Sequence, residues 1–371
     1  MFEKTRKRKA EHIRIATTCN VQARWNTSGF EDVNFVHRAL PEIDKDKIDL
    51  STTVFSHKFS APIMVSAITG GTSEAEKING TIATVVEEMG LGMGVGSQRA
   101  ALEDRRLEKT FAVVRKKAPT AFLVANIGGV QFARGYSINE ARKAVEMIEA
   151  DALAIHLNPL QEAVQPEGET TFKGILEKIG EIAHELEKPV IVKETGAGIA
   201  AEEAWKLEAV GVKGIDVSGA GGTSFAAVEY FRAKGGRNLH HRRLGDIFWD
   251  WGIPTVISIV EVVQSVNIPI IASGGVRSGL DAAKALALGA SLSSLAQPVL
   301  QAAVKSLQKT RKTLSLLIEE FRNAMFLVGA ETPQQLRKAS IIITGKTAEW
   351  LRLRGFNLEV YARRSEDKLE H

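Results

Sequence analysis

The chain has 371 residues, 44% hydrophobic and 25% charged, the composition of an ordinary globular protein long enough to bury a core without covalent staples. Its 48 basic and 44 acidic residues leave a formal charge of +4, too small to imply bulk nucleic-acid binding. A single cysteine, Cys19, excludes an internal disulfide framework and a cysteine-rich zinc site.

Residues 1–61 read as an N-terminal arm, polar and mixed. Its opening MFEKTRKRKAEH lacks the apolar core of a secretory signal, and no run in the chain reaches the roughly 18 apolar residues of a membrane span. A cytoplasmic protein with neither membrane nor nucleic-acid partners is the expectation. The basic run Lys4–Lys9 is either a solvated arm or part of an anion site. From Pro62 to Ala296 come eight short apolar runs: PIMVSAIT, LGMGVGS, AFLVANI, ALAIHLN, PVIVKET, GIDVSG, PIIASGG and ASLSSLA. They are rich in Val, Ile and Ala and scarcely alternate, as strands buried on both faces do. Helical periodicity fills the intervals, as in Ile175, Ile179, Ile182 and Leu186. This alternation predicts a parallel α/β sheet, and eight units predict a single closed (β/α)8 TIM barrel over 62–330 rather than an open doubly wound sheet. Residues 220–253 are too long for an ordinary connection and read as a lid loop inserted after the sixth strand, hinged at Gly235 and Gly236. Beyond Ala296, a helical stretch through Leu314, Leu317, Phe321 and Met325 closes the barrel. Residues 331–371 read as a C-terminal extension ending in a solvated tail, YARRSEDKLEH.

In a parallel barrel the active site lies at the carboxyl ends of the strands. Here those ends supply Thr69, Ser97, Gln98, Arg99, Asn126, His156, Asn158, Lys193, Glu194, Ser218, Ser273 and Arg277. Polar groups buried at one rim need partners, which suggests a ligand more than merely polar loops. After the seventh strand, Gly274 and Gly275 allow close backbone approach to an anion and Arg277 adds charge; SGAGGTS after the sixth strand adds N–H donors, although tight turns alone also use glycine pairs. A second anion site, suited to a diphosphate, is suggested by Arg8, Lys9, His12, Ser97, Gln98 and Arg99. In HLNPLQE, His156 and Asn158 lie two apart at a strand end, Pro159 ends the strand, and Gln161 and Glu162 follow on the rim loop. Glu162 is either a magnesium ligand or a surface carboxylate capping the local backbone. His240 and His241 read as part of a solvated lid rather than a metal site.

The chain resembles the type 2 isopentenyl diphosphate isomerases, which use flavin mononucleotide (FMN), from Arg8 to about Gly329. The carrying motifs, in order, are RKAEH, SAITGG, GSQRA, HLNPLQE, VKE, SGAGGTS, DWGIPT and ASGGVRSGLDAAKALALGA. The resemblance implies that Ala67, Ile68, Thr69, Ser97, Asn126, Lys193, Ser218 and Thr223 hold the flavin ring and ribityl chain. It gives the flavin phosphate to Gly275, Val276, Arg277, Ala296 and Gln297, and the substrate to Arg8, Lys9, His12, Ser97, Gln98, Arg99, His156, Asn158 and Gln161. It implies Mg2+ at Glu162, NADPH as the reductant that primes the flavin, and a homo-oligomer, tetrameric or octameric. The implied reaction converts isopentenyl diphosphate to dimethylallyl diphosphate. Reduced flavin would serve as acid and base, Lys193 would stabilise its anionic form, Gln161 and His156 would orient substrate, and the lid would exclude water. Ser293 and Ser294 depart from the family's usual glycines, which bears on the phosphate cradle, and Phe225 replaces a commoner Trp. A 2-hydroxy-acid oxidase would need a His and Arg pair late in the barrel, yet no histidine lies between His241 and His371. An inosine-monophosphate-dehydrogenase-like enzyme would need a cysteine in a barrel loop. A barrel that only senses a phosphorylated ligand is the alternative outside enzymes.

Overall fold

Each of the eight apolar runs forms one strand in a computed structural model that describes residues 2–235 and 238–364, with side chains from Arg8 onward. Gly236 of the expected hinge and residues 365–371 of the expected tail lie outside the described residues. The strands are β1 (Ile63–Val65), β2 (Gly92–Gly94), β3 (Phe122–Gly128), β4 (Ala152–His156), β5 (Val190–Lys193), β6 (Gly214–Asp216), β7 (Ile270–Ala272) and β8 (Leu292–Leu295). All pair in parallel in chain order, and β8 returns to β1 to close the barrel. The lack of alternation in sequence has a plain cause. Outward side chains such as Ile63, Val65, Leu123 and Ile155 pack under the helices, while inward ones such as Met64, Val124, Ala154, Ile191 and Ile271 fill the barrel.

The amino-terminal end of the barrel is plugged by a hairpin, Thr52–Val54 paired with His57–Phe59. Its two-residue turn holds Phe55 and Ser56 at φ +52° and +60°, a conformation costly for residues other than glycine. Phe55 stacks on Phe122 at 5.7 Å between ring centroids, and Phe59 meets the same ring edge-on at 5.4 Å, which offsets that cost. The opposite end is left free for a site.

The N-terminal arm is not a solvated strand of chain. It begins with helix α1 (Phe2–Thr18), whose Ile15 is buried with Val21, Ala227, Val228 and Trp249. After β4 comes the short helix α2 (Pro159–Val164), and the expected helix over Ile175–Glu185 buries Ile175, Ile179 and Ile182. The insertion after β6 is not an irregular loop but a helical hairpin, α3 (Phe225–Gly235) and α4 (Leu239–Ile247). Its Ala226, Ala227 and Val228 are buried against neighbouring elements, so it folds as a packed cover. Helix α5 (Leu307–Leu327) buries Leu314, Leu317, Phe321 and Met325, the four positions read from periodicity. In the extension, Ile341–Ile343 pairs antiparallel with Val33–Phe35 and fastens the arm to the end of the chain. Among the described residues no helix is long and apolar enough to cross a membrane.

Candidate active site

The carboxyl ends of the strands open into one cavity, covered by α1 and α3. At its floor His156, Lys193 and Asp216 lie level in neighbouring strands, because β4, β5 and β6 pair in that register. The Lys193 ammonium donates to the Glu194 carbonyl and stands 3.9 Å from Asp216 Oδ2. Burial pushes the Asp216 carboxyl up, against the pull of Lys193 and of the Ser273 hydroxyl that donates to it. Asn126 Nδ2 donates to the Val95 carbonyl at 3.0 Å, which directs Asn126 Oδ1 to His156 Nδ1, 2.8 Å away. Nδ1 therefore carries the imidazole proton and Nε2 is an acceptor. Burial, then Lys193 and Lys9, lower the His156 pKa to about 3. The ring is neutral at any working pH.

One sector of the cavity pairs a glycine loop with a buried arginine. Gly274 and Gly275 adopt φ +95° and +68°, and a Cβ on Gly275 would stand 2.8 Å from the Ser28 Cβ, so glycine is required where the loop meets the arm. The Arg277 guanidinium, its pKa drawn down by burial, bonds among the described residues only to neutral oxygens: Val276 O at 3.1 Å, Gln22 Oε1 at 2.8 Å and Gln297 Oε1 at 3.4 Å. A buried guanidinium without a carboxylate partner, beside a glycine loop, suits a phosphomonoester. Val276, Ala296, Ser218 and Thr223 line this sector too, and Ala67, Ile68, Thr69 and Asn126 line the wall toward β1 and β3. Ser294 bonds the Ser66 hydroxyl at 2.7 Å, and Ser293 is fully buried with its hydroxyl toward the Ala272 carbonyl. Both hydroxyls are thus occupied within the barrel wall.

Another sector gathers cations. Lys9 Nζ donates to the Ser97 carbonyl at 2.7 Å and lies 5.1 Å from the Phe111 ring centroid. Enclosure of its ammonium, then the charges of Arg8 and Arg99, bring its pKa to about 7. Arg99 Nε donates to Glu103 at 2.9 Å, and Arg8 stands 3.9 Å from Glu167. His12 Nε2 lies 2.9 Å from the fully buried Glu229. Burial pushes the Glu229 carboxyl up, but His12 and Arg232 outweigh it and hold the group below the usual carboxylate range.

Three expectations need correction. Gln98 does not reach the cavity: it is wholly buried, donating to the Ala144 carbonyl at 2.8 Å and accepting from the Asn126 N–H at 2.8 Å, so it braces the barrel. Pro159 does not merely end a strand; it starts α2, and Gln161 and Glu162 ride on that helix rather than on a loop. Glu162 is not on the surface. It accepts from Asn158 Nδ2 at 2.9 Å, from Gln165 Nε2 and from the Glu169 N–H at 2.7 Å. With those amides turned to the carboxylate, Asn158 Oδ1 and Gln165 Oε1 are buried without a donor. Glu194, another strand-end acid, turns away to accept three backbone N–H groups, from Thr195, Gly196 and Ala197, and burial lifts its pKa to about 7 even so. Several participants carry no sequence signal: Gln22, Gln131 and Glu229 reach the site only through long-range packing.

The family model described as FMN-dependent dehydrogenase matches residues 2–124 and 135–343. An isopentenyl-diphosphate delta-isomerase of Methanothermobacter thermautotrophicus is 52% identical over 96% of this chain and 99% of its own length. One from Pyrococcus abyssi is 50% identical over 98% of this chain and 99% of its own. Among solved structures, mandelate oxidase with (S)-2-phenylpropionate superposes with a TM-score of 0.63 at 19% identity, covering 92% of this chain and 98% of that one, a likeness of fold.

Proposed function

The chain belongs to the FMN-dependent dehydrogenase family and, within it, to the isopentenyl-diphosphate delta-isomerases, and from this membership we propose how its side chains serve the reaction. It is an isomerase of isoprenoid biosynthesis, converting isopentenyl to dimethylallyl diphosphate. FMN is its cofactor, and the unpaired Arg277 beside the glycine loop fits the flavin phosphate. When bound in reduced form, FMN supplies ring nitrogens that can give and take protons. The remaining work falls to the protein. Gly275, Val276, Arg277, Ala296 and Gln297 hold the phosphate, while Ala67, Ile68, Thr69, Ser97, Asn126, Ser218 and Thr223 fix the ring and ribityl chain. Lys193, steadied by Asp216, would supply positive charge to stabilise the bound reduced flavin.

Arg8, Lys9 and Arg99 bind the diphosphate, and His12 keeps its place through Glu229. Gln161, Asn158 and His156 orient the substrate, His156 as an acceptor through Nε2. Phe225 and Val228 of α3 present apolar surface over the alkene and keep water away. Among the described residues no group of three His, Cys, Asp or Glu side chains could hold a metal alone. The donorless oxygens of Asn158 and Gln165 beside Glu162 nonetheless fit a Mg2+ shared with phosphate oxygens. NADPH is assigned as priming reductant, the cytoplasm as the location, and a tetramer or octamer as the assembly; the exposed Trp25, Ile247 and Trp251 supply apolar surface for that assembly.

The observation that carries this reading is one cavity holding both a phosphate cradle and a separate Arg–Lys group, with a neutral imidazole and a lysine level at its floor. Anaerobic assay of the photoreduced holoprotein with isopentenyl diphosphate should yield the allylic isomer. Turnover of the oxidised protein, under strict exclusion of reductant, would overturn the proton chemistry assigned here.

A further inference from the structure

We propose that Glu169 is a positioning residue that ties the diphosphate-binding arginine to the metal-binding carboxylate. The proposal rests on the isomerase reading, since it takes the substrate as a diphosphate bound with Mg2+. Glu169 follows α2 and is mostly buried, its side chain 15% exposed. One carboxylate oxygen stands 3.3 Å from Arg99 Nη2 and 2.5 Å from Arg134 Nη1; the other accepts from Gln131 Nε2 at 3.5 Å. Its backbone N–H donates to Glu162 Oε2 at 2.7 Å. The close approach is enforced by the preceding residue. A Cβ on Gly168 would fall 1.7 Å from the Glu162 carbonyl oxygen, so only glycine lets the chain turn back onto α2.

Arg99 is thereby gripped on two sides, Nε by Glu103 and Nη2 by Glu169, while Nη1 has no partner among the described residues. A guanidinium recognises phosphate by a planar fork, so fixing its plane matters as much as its charge. The same residue steadies the Glu162 carboxylate through the main chain. Mg2+ demands near-ideal octahedral geometry, so the metal carboxylate and the phosphate-binding arginine must keep a set separation. Glu169 joins the two directly, its side chain paired with Arg99 and its backbone N–H bonded to Glu162.

The test is calorimetric titration of the FMN holoprotein with inorganic pyrophosphate, with and without Mg2+, for wild type, Glu169→Gln and Glu169→Asp, alongside steady-state kinetics. In wild type, Mg2+ should tighten pyrophosphate binding by roughly tenfold or more, and in Glu169→Gln that gain should shrink to about twofold. KM for isopentenyl diphosphate should rise roughly tenfold in Glu169→Gln with kcat within about twofold of wild type, and Glu169→Asp should recover part of the loss. Bound FMN and melting temperature should be unchanged. A wild-type magnesium gain in Glu169→Gln, no gain in wild type, or kcat and FMN content lost together would overturn the proposal. Absence of wild-type turnover would instead overturn the isomerase reading, while the pyrophosphate titrations would still decide the role of Glu169.

Discussion

Lys9 offers a proton-linked test of the diphosphate site proposed above. Its ammonium is enclosed beside Arg8 and Arg99, and its pKa is near 7 rather than 10.5. At pH 8, one unit above that value, about nine-tenths of the free protein therefore carries a neutral Lys9. A bound diphosphate restores the charge, so binding should draw a proton from buffer. Isothermal titration at pH 8 in buffers of different ionisation enthalpy should show roughly 0.9 more proton taken up by wild type than by Lys9→Met. The ligand's own protonation cancels in that difference. Between pH 8 and 9 the wild-type affinity should fall up to about tenfold more steeply than that of the variant, and below pH 6 the two slopes should coincide. For folding, the sign follows from proton counts. The native pKa lies below the unfolded one, so the unfolded chain binds more protons between about 7 and 10.5, and the Lys9 contribution to stability rises with pH through that window. Equal proton uptake by wild type and Lys9→Met at pH 8 would refute the placement of an enclosed ammonium in this site.

Lys193→Ala should lower turnover by about a hundredfold or more while leaving the fold intact by circular dichroism; unchanged turnover would remove its electrostatic role. Glu162→Gln should shift the Mg2+ titration midpoint by roughly tenfold to a hundredfold, read by activity and by Mn2+ binding followed magnetically, and an unaltered titration would exclude it as a ligand. Gly275→Ala must hold alanine at φ +68° and push against Ser28, costing about 1–3 kcal/mol, so it should lower the melting temperature and release FMN, seen as free-flavin fluorescence. Retention of FMN and stability by that variant would show that the loop need not approach so closely.

The barrel was legible because strands buried on both faces cannot hide: eight unalternating runs with polar ends mark both the strands and the rim. Side-chain direction was less so. Gln98 and Arg99 are adjacent where a helix begins beyond β2, yet Gln98 braces the Ala144 carbonyl while Arg99 lines the cavity, and adjacency alone does not say which faces in. The helical state of 2–18 was obscured because Ile13 and Ile15 are two apart, off any helical stripe, and find their burial only against other elements. Length made 220–253 look like a loop, although its Ala-rich first half favours helix. Gln22 to Arg277 and His12 to Glu229 span more than two hundred residues each, so no local pattern could have joined them.

The same geometry assigns duties at the mouth of the barrel by what each acid has already committed. His156 holds its proton on Nδ1 for Asn126, and with a pKa near 3 it does not gain a second. Glu194 spends one oxygen on three N–H groups of its own loop, and its other oxygen, buried without a partner among the described residues, does not line the cavity. Asp216 receives the Ser273 hydroxyl and faces Lys193, and Glu162 is bonded by two amides and a backbone N–H. An alkene is a poor base, so its protonation calls for an acid held against the carbon and shielded from water. Among the described residues, no side chain lining the floor is both free and acidic enough for that. The protein's part is therefore to bind, charge and enclose, which is why Lys193 and Lys9, rather than a carboxylic acid, are the residues whose loss should separate binding from turnover.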